Sequence, residues 1–260
     1  MAVIQANTTD QALSFGEDPA LYDRFRPSYP RGLIEDILAE TGDLPALEVG
    51  AGTGKATRAL LALGKAVHAI EPDHRMAAVL EVSCPSDHLV IDRTTLEASH
   101  LPRSAFDLVL AAQSWHWVRT DVAYDVAADA LDPEGVLALM WHHPHHQQGV
   151  FGVALGQLYR QIAPEAAHPL PGLKGAGYDP RLEPPSAMAR FRAWSRAEHA
   201  WEWTLDAPSF IGWLCTGSET RKLGVEQRAE LMAGVAALIG EFGGEVVIPM
   251  RTVAHLAHRA

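Results

Sequence analysis

Three glycines at alternate positions follow a short apolar run and precede a helical pattern. The run is Ala46–Val49, and the glycines are Gly50, Gly52 and Gly54. A run of this length predicts a buried parallel strand. Glycine leaves the backbone bare for a ligand and reaches the positive φ values that some turns require. Exposed N–H groups and the positive end of the next helix would then favour an anionic or carboxylate-bearing ligand.

The spacing of these glycines argues against two common nucleotide-binding loops. A phosphate-binding P-loop would need glycine in place of Val49 and serine or threonine in place of Ala56. The dinucleotide fingerprint puts its third glycine three positions after the second, whereas Gly54 comes two positions after Gly52. An ordinary tight turn between a strand and a helix remains the alternative to a ligand loop.

A carboxylate ends the second predicted strand, which runs from Ala66 to Ile70 and is followed by Glu71 and Pro72. At the end of the second strand of a nucleoside-binding unit, an acid is placed to accept hydrogen bonds from both ribose hydroxyls. The alternative is an acid at a helix N-terminus, because Pro72 and Asp73 also indicate a helix start.

The fourth predicted strand, Phe106–Ala112, leads into Gln113, Ser114, Trp115, His116 and Trp117. Ligands of open α/β sheets bind beyond the carboxyl ends of the strands, so this segment should face the reacting centre. His116 could serve there as a general base near neutral pH. The tryptophans could face a sulfonium cation or wall a substrate. A core aromatic patch with a structural histidine is the alternative.

Four histidines, His142, His143, His145 and His146, surround Pro144 after the fifth predicted strand, Val136 to Trp141. Such a cluster suggests metal binding. However, adjacent histidines on an extended chain point to opposite faces, and no obvious carboxylate adjoins them. We therefore predict a polar pocket rim and no metal.

Composition limits the possible partners. The 260 residues, 48% of them hydrophobic, can bury a substantial core, and the net charge of −11 disfavours nucleic acid phosphates. Cys84 and Cys215 lack the spacing of a disulfide framework or zinc site. The segment Met1 to Asp10 lacks the basic and apolar regions of a signal peptide, and no apolar run approaches membrane-spanning length. These features predict a cytoplasmic protein with a small-molecule partner, no nucleic acid and no membrane; they leave the oligomeric state open.

The flanking segments predict a cap and a lid around one domain, residues 1–260. Aromatics, arginines and prolines at 14–30 indicate an arm that packs on the domain or caps the ligand, within a cap at 1–45. The core would span 46–145. A proline-rich stretch without periodicity predicts a lid or substrate region within 146–195. Strands and a helix at 196–260 would complete the sheet.

Several motifs together resemble the class I S-adenosylmethionine (SAM) methyltransferases, in particular the small-molecule branch related to trans-aconitate methyltransferase. They are Tyr22-Asp23-Arg24-Phe25-Arg26-Pro27-Ser28-Tyr29-Pro30, Glu48-Val49-Gly50-Ala51-Gly52-Thr53-Gly54, Ile70-Glu71-Pro72 and Ala111-Ala112-Gln113-Ser114-Trp115-His116-Trp117. The similarity covers roughly 15–141 and returns more weakly near 200–257. These motifs are specific for SAM and poor guides to the substrate.

The resemblance implies a doubly wound, Rossmann-like α/β fold with seven mostly parallel strands in the order 3-2-1-4-5-7-6. It implies that the glycine loop backs the methionine part of SAM, Glu71 the ribose and Glu97 the adenine, with Asp92 as a competing acid and a solvated loop acid as the alternative. The cofactor-binding residues it suggests are Tyr22, Arg26, Tyr29, Glu48, Gly50, Ala51, Gly52, Thr53, Gly54, Glu71, Pro72, Glu97, Ala98, Ala112, Gln113 and Ser114.

The sequence therefore predicts methyl transfer from SAM to an oxygen or nitrogen of a small metabolite. His116 would accept a proton, and the substrate would meet Tyr22, Trp115, Trp117, His142 and His143. The histidine pair stands where relatives often carry Asn-Arg, and Glu134 replaces a glycine, so the pocket differs from theirs. The alternatives are a SAM-binding protein that catalyses a rearrangement or cyclisation or uses SAM structurally, and a metal-assisted enzyme.

Overall fold

The computed structural model describes residues 14–145, 149–166 and 189–260. Seven strands form one sheet in the order β3-β2-β1-β4-β5-β7-β6, which confirms the predicted order. The strands are β1 Ala46–Val49, β2 Val67–Ile70, β3 Leu89–Asp92, β4 Phe106–Ala112, β5 Leu131–Pro144, β6 Phe191–Asp206 and β7 Glu245–Arg259. The sheet is mixed and mostly parallel, as predicted. Strands β1 to β5 pair in parallel throughout.

Helices connect these strands in alternation over the first half of the chain. They are α1 Pro19–Phe25, α2 Arg31–Ala39, α3 Lys55–Ala62, α4 His74–Ser83, α5 Thr120–Ala130, α6 Gly149–Ile162, α7 Ala207–Cys215, α8 Ser218–Arg221 and α9 Val225–Glu241. Three of them begin with an aspartate cap that satisfies an unpaired N–H group. Asp18 accepts from Leu21 N at 2.9 Å, Asp73 accepts from Arg75 N at 2.8 Å, and Asp206 accepts from Ser209 N at 2.9 Å.

The chain divides into two compact units. The first unit contains the described residues within 1–27, 143–174 and 200–251. The second unit contains those within 28–142, 175–199 and 252–260. Strands β1 to β4 and the glycine turn therefore belong to the second unit.

Both faces of the sheet in the second unit are buried. In β4, Val109 and Ala111 pack on one face with Tyr124 of α5, whereas Leu108 and Leu110 pack on the other face with α2, α3 and α4. Because helices cover both faces, the strands are mostly apolar and do not alternate with polar residues; the exceptions include Glu48 in β1 and Asp107 in β4, which are both buried. Polar side chains that can reach a ligand are therefore expected at the strand ends.

The first unit has its own core. Leu155 and Tyr159 of α6 pack with Phe210 and Trp213 of α7 and with Leu231 of α9. Helix α9, Val225–Glu241, is the helix expected within residues 196–260.

The bounds of β5 differ from those predicted. The strand was expected at Val136 to Trp141 but spans Leu131–Pro144, and residues 132–135 are accommodated by an irregular register between Phe106 and Leu108. Helix α5 begins at Thr120, with Arg119 as its N-cap. Most of the predicted lid falls on residues 167–188, which lie outside the described residues.

Candidate functional site

The glycine turn between β1 and α3 is left-handed at each of its glycines, with φ of 69° at Gly50, 61° at Gly52 and 89° at Gly54. A Cβ added to Gly50 would lie 2.6 Å from Ser114 Cβ, and one added to Gly54 would lie 2.5 Å from Leu80 Cδ1. At Gly52 the nearest atom, Met76 Cε, is 3.5 Å away, an ordinary contact. The protein itself therefore fills the space beside Gly50 and Gly54, whereas a Cβ at Gly52 would make only an ordinary contact with Met76.

Hydrogen bonds within the protein already use four N–H groups of this turn. Gly50 N and Ala51 N donate to Ile70 O at 2.8 and 3.1 Å, and Gly54 N donates to Ala51 O at 3.0 Å. Gly52 N donates to the Glu71 carboxylate at 2.8 Å. The expectation that these N–H groups hold an anion is therefore wrong for these four. What the turn offers a ligand is bare backbone surface.

Glu71 joins the end of β2 to this turn. Its two carboxylate oxygens accept from Gly52 N at 2.8 Å and from Asp73 N at 2.9 Å. Burial raises the pKa of Glu71 to about 7, against the opposing effect of these hydrogen bonds. Asp73, and not Glu71, caps helix α4. The alternative of a helix N-terminal acid thus applies to Asp73 and leaves the ribose role of Glu71 as a prediction.

Glu48 lies in β1 beneath the turn and is 1% exposed. Its carboxylate accepts a hydrogen bond from the Thr57 hydroxyl in α3 at 2.6 Å. Burial, with a smaller contribution from the nearby charge of Glu71, raises the pKa of Glu48 to about 7, against the opposing effect of the hydrogen bond from Thr57. Glu48 was predicted to bind the cofactor, but the structure places its side chain inside the protein, where it ties β1 to α3.

The two acids proposed for the adenine each have a partner. Glu97 lies in a short 3₁₀ turn, Leu96–Ala98, and its Oε1 accepts from Arg119 N at 2.7 Å. Asp92, the competing acid at the end of β3, has its Oδ2 in hydrogen-bond contact with His68 Nε2 at 2.7 Å. Ala98 and Pro72 are exposed. Neither acid is excluded, because each is only partly buried.

The end of β4 approaches the glycine turn directly. The Ser114 hydroxyl donates to Val49 O, the carbonyl just before Gly50. Gln113 has a left-handed backbone, with φ of 62°, and its N–H donates to Met140 O at 2.9 Å. Among the described residues, the buried Gln113 Nε2 has no hydrogen-bond partner. A strained backbone and an unsatisfied amide at one residue are typical of a ligand-binding position. Ala112 and Gln113 are half-buried.

Trp115 and Trp117, which were both predicted to contact the substrate, lie in different environments. Trp115 is fully buried and packs edge-on against Tyr124, with centroids 5.2 Å apart. The core aromatic patch therefore describes Trp115 better than substrate contact does. Trp117 is half-buried beside His116, with ring centroids 4.6 Å apart. His116 Nδ1 accepts a hydrogen bond from Trp141 Nε1 at 3.4 Å. The Nδ1 atom of His116, the predicted base, is therefore engaged in a hydrogen bond within the protein.

Two residues predicted for different ligands are in contact. Tyr29 and His142 stack with centroids 4.6 Å apart and planes 16° apart. His142 is 2% exposed, and its Nδ1 lies 2.8 Å from the Thr252 hydroxyl. His143 and His145 belong to the first unit, where His145 N donates to Pro249 O at 2.8 Å. His146 lies outside the described residues. Within the described ranges, no group of three metal-ligating side chains is arranged to hold a metal ion.

The remaining predicted residues, Tyr22, Arg26 and His143, belong to the first unit. The Arg26 guanidinium lies 5.2 Å over the Tyr22 ring, and its Nη2 donates to Thr216 O, just past α7, at 3.2 Å. These contacts fit the arm that packs on the domain. The cap role of Tyr22 and Arg26 stays a prediction.

The sequence analysis missed Thr57, Trp141 and Thr252. Trp141 could have been found, because it lies near the end of β5 beside the chemically important end of β4. Thr57 carries a weaker signal, a hydroxyl three residues after Gly54. No signal marks Thr252, because its contact with His142 depends on how β7 joins the sheet.

Comparison with known proteins supports a methyltransferase. Residues 47–139 match the model of a family described as a methyltransferase domain. An uncharacterized methyltransferase of Mycobacterium tuberculosis is 39% identical over 133 residues, which is 51% of this chain and 54% of that protein. The chain thus spans about half the length of the curated relatives it matches. The match to the domain model includes the glycine turn, Glu71 and the end of β4.

Two solved structures share the fold. A type II methyltransferase candidate from Anaeromyxobacter dehalogenans has a TM-score of 0.64 at 21% identity, covering 90% of this chain and 97% of that chain. Haemonchus contortus phosphoethanolamine N-methyltransferase 2, bound to phosphomonomethylethanolamine and S-adenosylhomocysteine, has a TM-score of 0.51 at 15% identity, covering 96% of this chain and 57% of that one. In the described parts of this chain, no helix is long and apolar enough to cross a membrane.

Proposed function

We propose that this protein transfers the methyl group of SAM to an oxygen or nitrogen of a small molecule. The observation that carries the proposal is the bond between Glu71 and Gly52 N, at 2.8 Å. It brings a carboxylate to the glycine turn at the end of the parallel strands, inside the segment that matches a methyltransferase domain. A bare backbone and an adjacent acid suit the amino acid and the ribose of one nucleoside ligand.

The residues of the second unit fit the two ends of SAM. We assign the backbone surface of Ala51, Gly52 and Thr53 to the methionine part of SAM, and Glu71 to the ribose hydroxyls. The Thr53 hydroxyl is buried without a partner among the described residues, so a ligand carboxylate or amine can satisfy it. Glu97 is assigned to the adenine amino group, beside Ala98 and Pro72.

On the acceptor side, we assign His116 and Trp117, together with the His142 ring that stacks on Tyr29. SAM would supply an already activated methyl group, so the protein would contribute chiefly by holding the acceptor in line with the sulfur–carbon bond. A lone pair of the acceptor would form the new bond to the methyl carbon as the carbon–sulfur pair returns to sulfur. The Haemonchus relative binds a small phosphorylated amine, which supports a small-molecule acceptor here.

The first experiment is calorimetry with SAM and S-adenosylhomocysteine, with NAD as the comparison ligand. Incubation with methyl-labelled SAM and an extract of small metabolites follows. Binding with label in a product supports the proposal. Binding without transfer of label would favour the rearrangement or structural use of SAM, and binding of NAD alone would remove the SAM site altogether.

A further inference from the structure

Trp141 and His116 meet where two neighbouring parallel strands end. Ala112 of β4 pairs with Met140 of β5, and Gln113 N donates to Met140 O at 2.9 Å. The chain then forms the 3₁₀ turn Trp115–Trp117, which brings the His116 ring to the indole of the next residue of β5. Trp141 Nε1 lies 3.4 Å from His116 Nδ1.

The chemistry of the two side chains fixes the direction of the hydrogen bond between Trp141 and His116. An indole N–H can only donate, so His116 Nδ1 must offer its lone pair. A neutral imidazole that accepts at Nδ1 carries its hydrogen on Nε2. The opposite tautomer would set two N–H groups against each other, one of them on a fully buried tryptophan. A second proton on the ring would have to go to Nδ1 and would break the same bond.

Both rings are held in place. Trp141 is fully buried, and His255 packs edge-on against it with centroids 6.1 Å apart. His116 lies against Trp117 on its other side, with centroids 4.6 Å apart. His255 is a titratable side chain, and its ring contacts the face or edge of the indole ring. The tautomer therefore follows from the packing of the strand ends.

We infer that Trp141 is a positioning residue that fixes His116 in the Nε2–H form, so that His116 meets the methyl acceptor as a hydrogen-bond donor and not as a base. This inference rests on the proposed function for the place of His116 beside the acceptor. A donor at this point selects an acceptor with an oxygen lone pair at or next to the reacting atom. It disfavours a protonated amine, which has no lone pair to offer. The acceptor's proton, where it has one, leaves to water.

The direct test is the nitrogen NMR spectrum of protein labelled with ¹⁵N-histidine, in which the two ring nitrogens of each tautomer give distinct signals. We expect wild-type His116 to show one tautomer, with its hydrogen on Nε2. Trp141→Phe, which keeps an aromatic ring but removes the N–H group, should give a mixture. Trp194→Phe is the matched control, because it also removes an indole N–H from the second unit, and that N–H is buried without a hydrogen-bond partner among the described residues. Its His116 signal should match wild type.

A pair of substitutions at His116 keeps the test decisive if Trp141→Phe does not fold. Glutamine places an amide N–H near the position of Nε2 but cannot act as a base. His116→Gln should therefore turn over roughly tenfold faster than His116→Ala, the value of one hydrogen bond. A wild-type ring with its hydrogen on Nδ1, or equal loss in both variants, would overturn the inference. The NMR result needs no SAM, so it stands apart from a failure of SAM to bind.

Discussion

Oε2 of Glu71 lies 2.8 Å from the backbone nitrogen of Gly52, so the acid at the end of β2 and the turn after β1 form one structure. The second oxygen of the same carboxylate accepts from Asp73 N at 2.9 Å. A carboxylate oxygen has two lone pairs, so each can still accept a further hydrogen bond from a ribose hydroxyl. The two N–H groups thus orient Glu71 before the ligand arrives.

Glu71→Gln is expected to weaken S-adenosylhomocysteine binding tenfold to a hundredfold, about the worth of one charge-assisted hydrogen bond. The amide oxygen can still accept from one of the two N–H groups, and the change removes a buried charge, so the fold should persist. Calorimetry measures the affinity. Glu81→Gln is the control, because Glu81 is 64% exposed and pairs with Arg93 away from the turn. Equal affinity in both variants would contradict the ribose role.

Glu48 and Glu71 should make the protein less stable as pH rises from about 4.5 to about 7. Burial raises the pKa of each from 4.5 to about 7, so the folded protein binds more protons than the unfolded chain in this window. The free energy of unfolding therefore falls with pH, by up to about 1.4 kcal/mol per pH unit for each group. Urea denaturation between pH 5 and 8 measures it.

Glu48→Gln identifies the source of this pH dependence. The amide oxygen can still accept from the Thr57 hydroxyl but does not titrate, so we expect a shallower slope between pH 5 and 7 than in wild type. Asp73 and Asp129, whose pKa values are lowered by arginine partners, contribute only below this window and in the opposite direction. A slope that the variant leaves unchanged would mean that Glu48 is already ionised in the folded protein.

Sequence patterns were sufficient to predict which backbone segments form the candidate site. The alternating glycines, the acid after β2 and the apolar run of β4 each depend on neighbours in sequence, and the structure places all three at the strand ends. Side-chain direction was not predictable in the same way. Trp115 and Trp117 are two residues apart in a 3₁₀ turn, yet one is fully buried and the other half-buried. Which of them enters the core depends on Tyr124, a contact that no local periodicity encodes.

The contacts between side chains of β5 and β7 were likewise not predictable from the sequence. His142 is paired with Thr252, and the two are 110 residues apart in sequence. A single sequence shows that both lie in strands but not that β7 enters the sheet beside β5. The sequence therefore predicts a pocket rim for the histidine cluster, but it does not show that the His142 ring is buried and stacks on Tyr29.

Substitutions in the glycine turn should separate folding from binding. Gly50→Ala brings a Cβ within 2.6 Å of Ser114 Cβ at a left-handed position, so it should cost roughly 2–4 kcal/mol of stability. Gly52→Ala meets only an ordinary contact, so its cost should be about 1 kcal/mol from the backbone alone. Gly52→Ala should nevertheless lower S-adenosylhomocysteine affinity more than tenfold, because the new methyl group would stand on the backbone surface that we assign to the ligand.

The control for the backbone term is Gly64→Ala, which has φ of 82° and no atom within 4 Å of the added Cβ. Thermal melting should rank Gly64→Ala with Gly52→Ala, while calorimetry should find normal affinity only in Gly64→Ala. If Gly52→Ala bound the ligand as tightly as wild type, the ligand would not lie against this turn.

Gln113 should show a trade between stability and binding. Its φ of 62° costs a residue with a side chain roughly 1 kcal/mol, which glycine would not incur. Gln113→Gly is therefore expected to raise the melting temperature, and Gln113→Ala, which keeps the strain, is not. Both variants remove the amide whose Nε2 is buried without a partner in the described part of the chain, so both should lose ligand affinity to a similar degree. If affinity followed the backbone change and not the loss of the amide, only the glycine variant would bind differently from wild type. The strain would then serve to aim the loop that carries His116, and the amide would have no ligand.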